Sequence, residues 1–234
     1  MTTVSGGEMK QRKSSGKLVT IAAGEGGLDQ ITLAISLARI TAKSGANALL
    51  VDCAQHTLSD YLDLKIKTSL QDVITRDLRV NDAKHIVPDT SMLVASAGDM
   101  PFDRMLGPLA ALSLVHDWVF CVVPPGCTPA HVRLMGACDH NVLMFDSVSD
   151  RFMRAYWMLD AIRARAPQCD PVMVGRGSLS EVQETYALFA STVHDFLGAP
   201  PPLAGIQTPD VNFDTLARQV LSTFTAAHVK AGAA

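Results

Sequence analysis

The chain has 234 residues and a formal net charge of −3, from 20 Lys+Arg against 23 Asp+Glu. That balance excludes the strongly basic surface of a nucleic-acid binder. With 48% hydrophobic and only 18% charged residues, the chain has ample apolar surface to bury, which excludes disorder as a whole-chain state.

Residues 1–16, MTTVSGGEMKQRKSSG, carry basic residues with no apolar core behind them, so they read as a flexible tail rather than a signal peptide. Leu18–Ala23 (LVTIAA) is a short apolar run that stops at glycines, the pattern of a strand buried on both faces. Ile31–Lys43 follows as a helix that is apolar nearly all round, hence buried. Ala48–Val51 is a second strand, and Ser69 with Asp72 three residues on marks a helix start. Ser91–Ala95 and Trp118–Val123 are further strands; Val142–Phe145, Pro171–Val174 and Leu203–Ile206 are shorter ones. Helical patterns occupy 102–115, 129–138, 150–166, 179–197 and 212–228. Strands alternating with helices predict βαβ units. The expected architecture is a single α/β domain over 17–228, a three-layer sandwich with a mostly parallel sheet of about seven strands and helices on both faces. A short tail, 229–234, follows.

Five cysteines, an odd number with no C-x-x-C pair, read as reduced thiols rather than a disulfide framework or zinc site. The seven histidines lack ligand spacing, so no metal is expected. No apolar run approaches the roughly 18 residues that span a bilayer, and a cytoplasmic protein is the expectation.

The informative segment is Gly24-Glu25-Gly26-Gly27-Leu28-Asp29-Gln30-Ile31-Thr32, between the first strand and first helix. A glycine-rich loop there can turn its backbone N–H groups onto phosphate, with the helix dipole behind it. The loop, its apolar helix, LLVDCAQHTLSDYLDL (49–64), the SLQDVI segment, HDWVFCVVPPG (116–126) and EVQETYALFASTVHDFLG…LAGIQTPD (181–210) occur in the order of one known group. Together they resemble the MinD/ParA family of deviant Walker A (SIMIBI-class P-loop) ATPases, and the last stretch most resembles its FlhG-like members. The resemblance spans about residues 17–228 and implies the P-loop NTPase-like fold.

The family loop reads G-K-G-G-V-G-K-T, and against it this sequence departs where the chemistry lies. The signature lysine is Glu25, the last loop glycine is Asp29, the phosphate-gripping lysine is Gln30 and the magnesium-holding Ser/Thr is Ile31. Asp52 remains of the Asp-x-Asp pair, but Ala54 replaces its partner. Val122 stands for the aspartate before Pro-Pro-Gly, and Gly175 for the adenine-reading asparagine. Gly24, Gly26, Gly27, Thr32 and Asp52 form the remnant of the loop. Phosphoryl transfer depends on positioning and on neutralising charge with lysine and Mg²⁺. Each carboxylate about 5 Å from a phosphate charge, at an effective dielectric near 20, opposes binding by on the order of 3 kcal/mol. The expectation is a pseudo-ATPase with no catalytic residues and no ATP or Mg²⁺ cofactor. Asp29, in place to cap the first helix, is expected to act as a built-in anion through its carboxylate.

On the helix at 150–166, Phe152, Ala155, Leu159 and Ile162 fall on one stripe, whereas Met153 and Trp157 fall on the other side, as interface anchors would. Glu25 is a second partner-contact candidate, because that position reaches across a dimer in the family and so would meet a lysine of an active paralogue. The apolar stripe Phe213, Leu216, Val220, Leu221, Phe224 is accompanied by only two Lys/Arg, Arg218 and Lys230. That is sparse for an anionic bilayer, so the helix is expected to pack on the sheet and any membrane association to be weak or indirect. The glutamine-containing amino-terminal helix of FlhG relatives is not expected within MTTVSGGEMKQRKSSG. The resemblance therefore implies a protein-binding regulator or scaffold in the localisation or assembly of a bacterial surface machine: flagellum, pilus, secretion system or cellulose synthase. Its partners would be proteins of that machine, an active paralogue or a second copy of itself, without nucleic acid, and they would recruit it to the inner membrane or cell pole. The alternative is a weak or partner-completed ATPase.

Overall fold

The structure is a computed structural model that describes residues 16–26, 29–54, 57–87, 92–167 and 169–231, the side chains of Ser149 and 225–231 excepted. Gly27 of the remnant loop and Ser91 of the predicted third strand lie outside the described residues.

Eight strands form one sheet: β1 (Lys17–Ala23), β2 (Ala48–Asp52), β3 (His85–Ile86), β4 (Leu93–Ser96), β5 (Trp118–Val122), β6 (His140–Asp146), β7 (Val172–Arg176) and β8 (Leu203–Gln207). Their order is β3-β4-β2-β5-β1-β6-β7-β8. All neighbouring pairs are parallel except β3 with β4. The strand beyond the expected seven is β3, two residues long, too short to show any alternation in sequence.

The helices are α1 (Gln30–Lys43), α2 (Thr57–Tyr61), α3 (Leu70–Thr75), α4 (Leu106–Ser113), α5 (Pro129–Gly136), α6 (Ser149–Arg165), α7 (Leu179–Leu197) and α8 (Phe213–Ala231). The single helix expected over 102–115 is instead a 3₁₀ turn, Phe102–Arg104, followed by α4. Pro108 accounts for the break: it has no N–H to donate into a preceding turn but is tolerated in the first turn of a helix. At the carboxyl end α8 continues to Ala231, past the expected boundary at 228. At the other boundary Gly16 is already held, its N–H donating to the Ser113 carbonyl at 2.7 Å.

Successive strand residues point into two cores. Val51, Val119, Cys121, Leu143, Phe145 and Met173 face one, beneath α3 to α7; Leu50, Phe120, Val122, Val142, Met144 and Val174 face the other. The second core is closed by Leu33 and Leu37 of α1 and by Leu216, Val220 and Phe224 of α8, so the carboxyl-terminal stripe packs on the sheet. Both faces of the central strands are dry, which is why they read as continuous apolar runs.

Candidate functional site

In parallel α/β sheets, ligands collect at the carboxyl ends of the strands where the order reverses. Here β1 lies between β5 and β6, so the loops after β1, β2, β5, β6 and β7 meet on one side. The sheet brings Asp29, Gln30, Ile31, Ala54 and the end of β5 at Val122 to one cavity, with Glu25 in the loop beside it.

Asp29 does not act as expected. It occupies the N-cap position of α1 but lies in the left-handed region at φ 54°, ψ 25°, and its side chain makes no capping bond. Side-chain caps need an extended N-cap backbone, as at Ser69 (φ −95°, ψ 169°) and Ser178 (φ −66°, ψ 155°), both of which do cap. Left-handed geometry fits the glycine of the related loops. The Asp29 carboxylate instead forms an ion pair with Arg176, Oδ2 to Nε at 3.0 Å.

Two further ion pairs border the loop. Glu25 meets Nε of Arg154 at 3.8 Å, so this candidate for contact with a partner's lysine already has a cation within the chain. Arg151 donates from Nη1 to Asp146 at 2.5 Å. That bond raises the pKa of the guanidinium. No cation is expected in the cleft from the loop sequence; the structure supplies Arg151, Arg154 and Arg176, each engaged with a carboxylate. Their signal was the position of Arg151 and Arg154 one turn apart after β6, and of Arg176 at the end of β7.

The remaining positions have local duties. Gln30 is buried and donates from Nε2 to the Val123 carbonyl at 3.1 Å. Asp52 is fully buried; Oδ1 accepts from the N–H of Ala54 at 2.9 Å, and Oδ2 from those of Leu58 at 2.9 Å and Ser59 at 3.3 Å. It organises the start of α2, a five-residue helix too short to show a period in sequence. Val122 is buried in the sheet, and Thr32 Oγ1 lies 3.4 Å from the Tyr61 hydroxyl. A Cβ on Gly24 would come within 2.5 Å of Arg154 Cβ, and one on Gly175 within 2.1 Å of Val182 Cγ1. Close helix packing therefore requires glycine at both, and α7 takes the space that an asparagine side chain at 175 would need.

The Asp29–Arg176 pair divides the cleft. Asp29 lines a cavity of about 400 Å³ with Ile31, Ala54, Val122 and Pro125, and another of about 510 Å³ with Asp146, Arg176, Gln207 and Pro209. Among the described residues no group of three or more His, Cys, Asp or Glu could hold a metal ion. On α6, Ala155, Leu159 and Ile162 are buried and Phe152 packs partly under them, whereas Trp157 is 55% exposed and Met153 half-buried.

The strand order and the helices on both faces make a P-loop NTPase-like α/β fold. Solved structures share the whole fold. MinD from Pyrococcus horikoshii complexed with Mg-ADP superposes with a TM-score of 0.71 at 14% identity, over 92% of this chain and 98% of that one. A plasmid partition protein from Borrelia burgdorferi bound to AMPPNP gives 0.70 at 13%, over 92% and 100%. MinD in the MinC:MinD complex of Aquifex aeolicus gives 0.66 at 17%, over 87% and 86%. The fold is thus the one expected from the resemblance to MinD and ParA. No family model and no curated protein matches the sequence.

Proposed function

We propose that the protein is a MinD/ParA-type regulator or scaffold without nucleotide chemistry. It acts through protein contacts in the localisation or assembly of a bacterial surface machine, in the cytoplasm and recruited to the membrane or pole by its partner. Among the described residues no helix is long and apolar enough to cross a membrane.

The observation that carries this reading is the Asp29–Arg176 pair across the remnant loop. A carboxylate stands where the related loops admit phosphate, and the nearest cation is already neutralised by it. Three other features support it. Gln30 ties its donor to Val123; Asp52 gives its oxygens to three backbone N–H groups; and Gly175 lacks room for a base-reading side chain. These residues do not fit Mg-ATP. MinD of Aquifex is found with a protein partner, MinC, which supports contact with proteins as the mode of action.

The three arginines favour a second reading, a weak ATPase completed by a partner. A polyphosphate could draw Arg151, Arg154 and Arg176 from their carboxylates. Calorimetric titration with ATP and Mg²⁺ separates the two. No saturable binding is expected; micromolar affinity would reject the first reading. Co-purification from the host with mass spectrometry identifies the machine.

A further inference from the structure

Helices α6 and α7 lie side by side on one face of the sheet, with Phe152 and Tyr156 of α6 meeting Phe189 of α7. At about 100° per residue, Met153 and Ala164 fall within about 40° of Trp157 on the outer side of α6. Trp157 is 55% exposed, Ala164 is exposed and Met153 is half-buried. On α7, Leu179 lines the groove beside β8. Leu188 is turned about 180° from it, so it lies on the side next to α6, where it is 63% exposed. An apolar strip thus follows the outer seam between two parallel helices.

The charge along this strip has one sign. Asp160 falls between Trp157 and Tyr156, the residue that meets α7, and Glu184 and Asp195 fall within about 40° of Leu188. All three acids are exposed, and none makes an ion pair or hydrogen bond among the described residues. Helix α7 contains no lysine or arginine. On α6, Arg151, Arg154 and Arg163 are held by Asp146, Glu25 and Asp170. Arg165 is turned about 80° from Trp157, to the side away from α7.

We infer that this seam docks a basic amphipathic helix of a partner protein. A third helix packs into the furrow between two parallel ones at the usual spacing of about 8–10 Å. Its apolar side chains cover Met153, Trp157 and Leu188, and its lysines or arginines reach Asp160, Glu184 and Asp195. The unpaired acids repel an anionic bilayer or a nucleic acid, which leaves a cationic protein surface as the complement. The inference rests on the reading of the chain as a protein-binding regulator and names the partner's chemistry.

NMR titration of the isotope-labelled full chain tests it, read at the Trp157 indole N–H and the Leu188 methyl groups. The probe is a synthetic peptide of Leu, Ala and Lys, about 18 residues long so that it forms a helix, with Leu on one face. A scrambled peptide of the same composition and a version with Glu for Lys are the comparisons. The Lys peptide should shift both signals saturably and bind about tenfold or more tighter than either comparison, since three charge pairs replace three repulsions. Its affinity should fall as salt is raised. Glu184→Lys combined with Asp195→Lys, both exposed, should move the preference to the Glu peptide at unchanged melting temperature. The comparison of peptides on the natural chain needs no variant to fold. No saturable shift at Trp157 and Leu188, equal affinity for the scrambled peptide, or displacement of both signals by protein concentration alone would overturn the inference. Titration of the same sample with ATP and Mg²⁺ keeps the two readings apart: saturable ATP shifts would overturn the reading of the cleft, whatever the peptides do.

Discussion

Asp29 adopts a backbone that suits glycine, at φ 54°. A left-handed conformation costs a residue with a Cβ about 1–2 kcal/mol, with Asn and Asp the most tolerant. The half-exposed pair with Arg176 returns at most about 1 kcal/mol. Backbone, not ion pairing, should therefore govern substitutions here. Asp29→Asn is expected to stay within about 1 kcal/mol of the natural chain, and Asp29→Thr to lose about 1–2 kcal/mol, since β-branching is poorly tolerated in this region. Urea denaturation decides it, because a side-chain cap would accept threonine almost unchanged. The pairing itself was not legible in sequence. Asp29 and Arg176 meet only because the sheet order places β1 and β7 one strand apart, and strand order is a tertiary fact. By contrast the Ser69–Asp72 capping box, complete within four residues, could be read directly.

At the scale of elements, the strand-end loops are tied down by side chains that also fix what the cleft can hold. Gly175, the residue before the end of β7, lies under α7, where a Cβ would lie 2.1 Å from Val182 Cγ1 and 3.1 Å from Phe145 Cζ. Gly175→Asn should cost about 1–3 kcal/mol from overpacking and leave ATP binding unimproved; a stable variant that binds ATP would contradict the packing argument. The sequence displayed the missing asparagine but not its cause, which lies in a helix seven residues on. The loop after β5 is held by His131, whose Nδ1 accepts from the Thr128 N–H at 3.2 Å and whose Nε2 faces the Pro124 carbonyl at 2.8 Å. Burial lowers its pKa below the ordinary 6.5, against a smaller opposing effect of the bond to Pro124. The folded chain thus holds the neutral ring while the unfolded chain takes up a proton first. Its contribution is whole above about pH 6.5 and is lost as pH falls through the folded value. Between about pH 7.5 and 5.5, thermal melting of His131→Asn should fall less steeply than that of the natural chain. Parallel slopes would show that other groups set the acid response.

Over the whole molecule, burial separates what holds the fold from what is available to a partner. α6 lies on the sheet with Ala155, Met158, Leu159 and Ile162 fully buried, and its aromatic neighbours Phe152 and Tyr156 meet Phe189 of α7 edge-on at 5.7 and 6.5 Å. Helical period alone placed Phe152, Ala155, Leu159 and Ile162 on that face, because one face of a long helix must meet the core. The same period put Trp157 outside, and it is 55% exposed. What period could not supply is the fate of Met153, half-buried although it lies on the outward side. Removing Trp157 takes nothing from either core, so Trp157→Ala should change stability by no more than about 0.5 kcal/mol. Phe189→Ala, deep in the core beneath α6 and α7, should cost about 3–5 kcal/mol. If Trp157 anchors the protein contact, partner recovery in affinity purification should drop sharply for Trp157→Ala at unchanged melting temperature, since a few exposed aromatics dominate such interfaces. Phe196→Ala removes an even more exposed aromatic, 75% accessible at the end of α7, and controls for loss of surface apolarity in general. Equal recovery for the two variants would remove Trp157 from the interface, whereas loss confined to Trp157→Ala would place the partner on the outer face of α6. Arg154, ion-paired with Glu25 of the remnant loop, lies one turn before Trp157. A partner seated there would touch the helix whose Arg154 pairs with Glu25 of the loop, so the contact surface and the altered cleft would share one element.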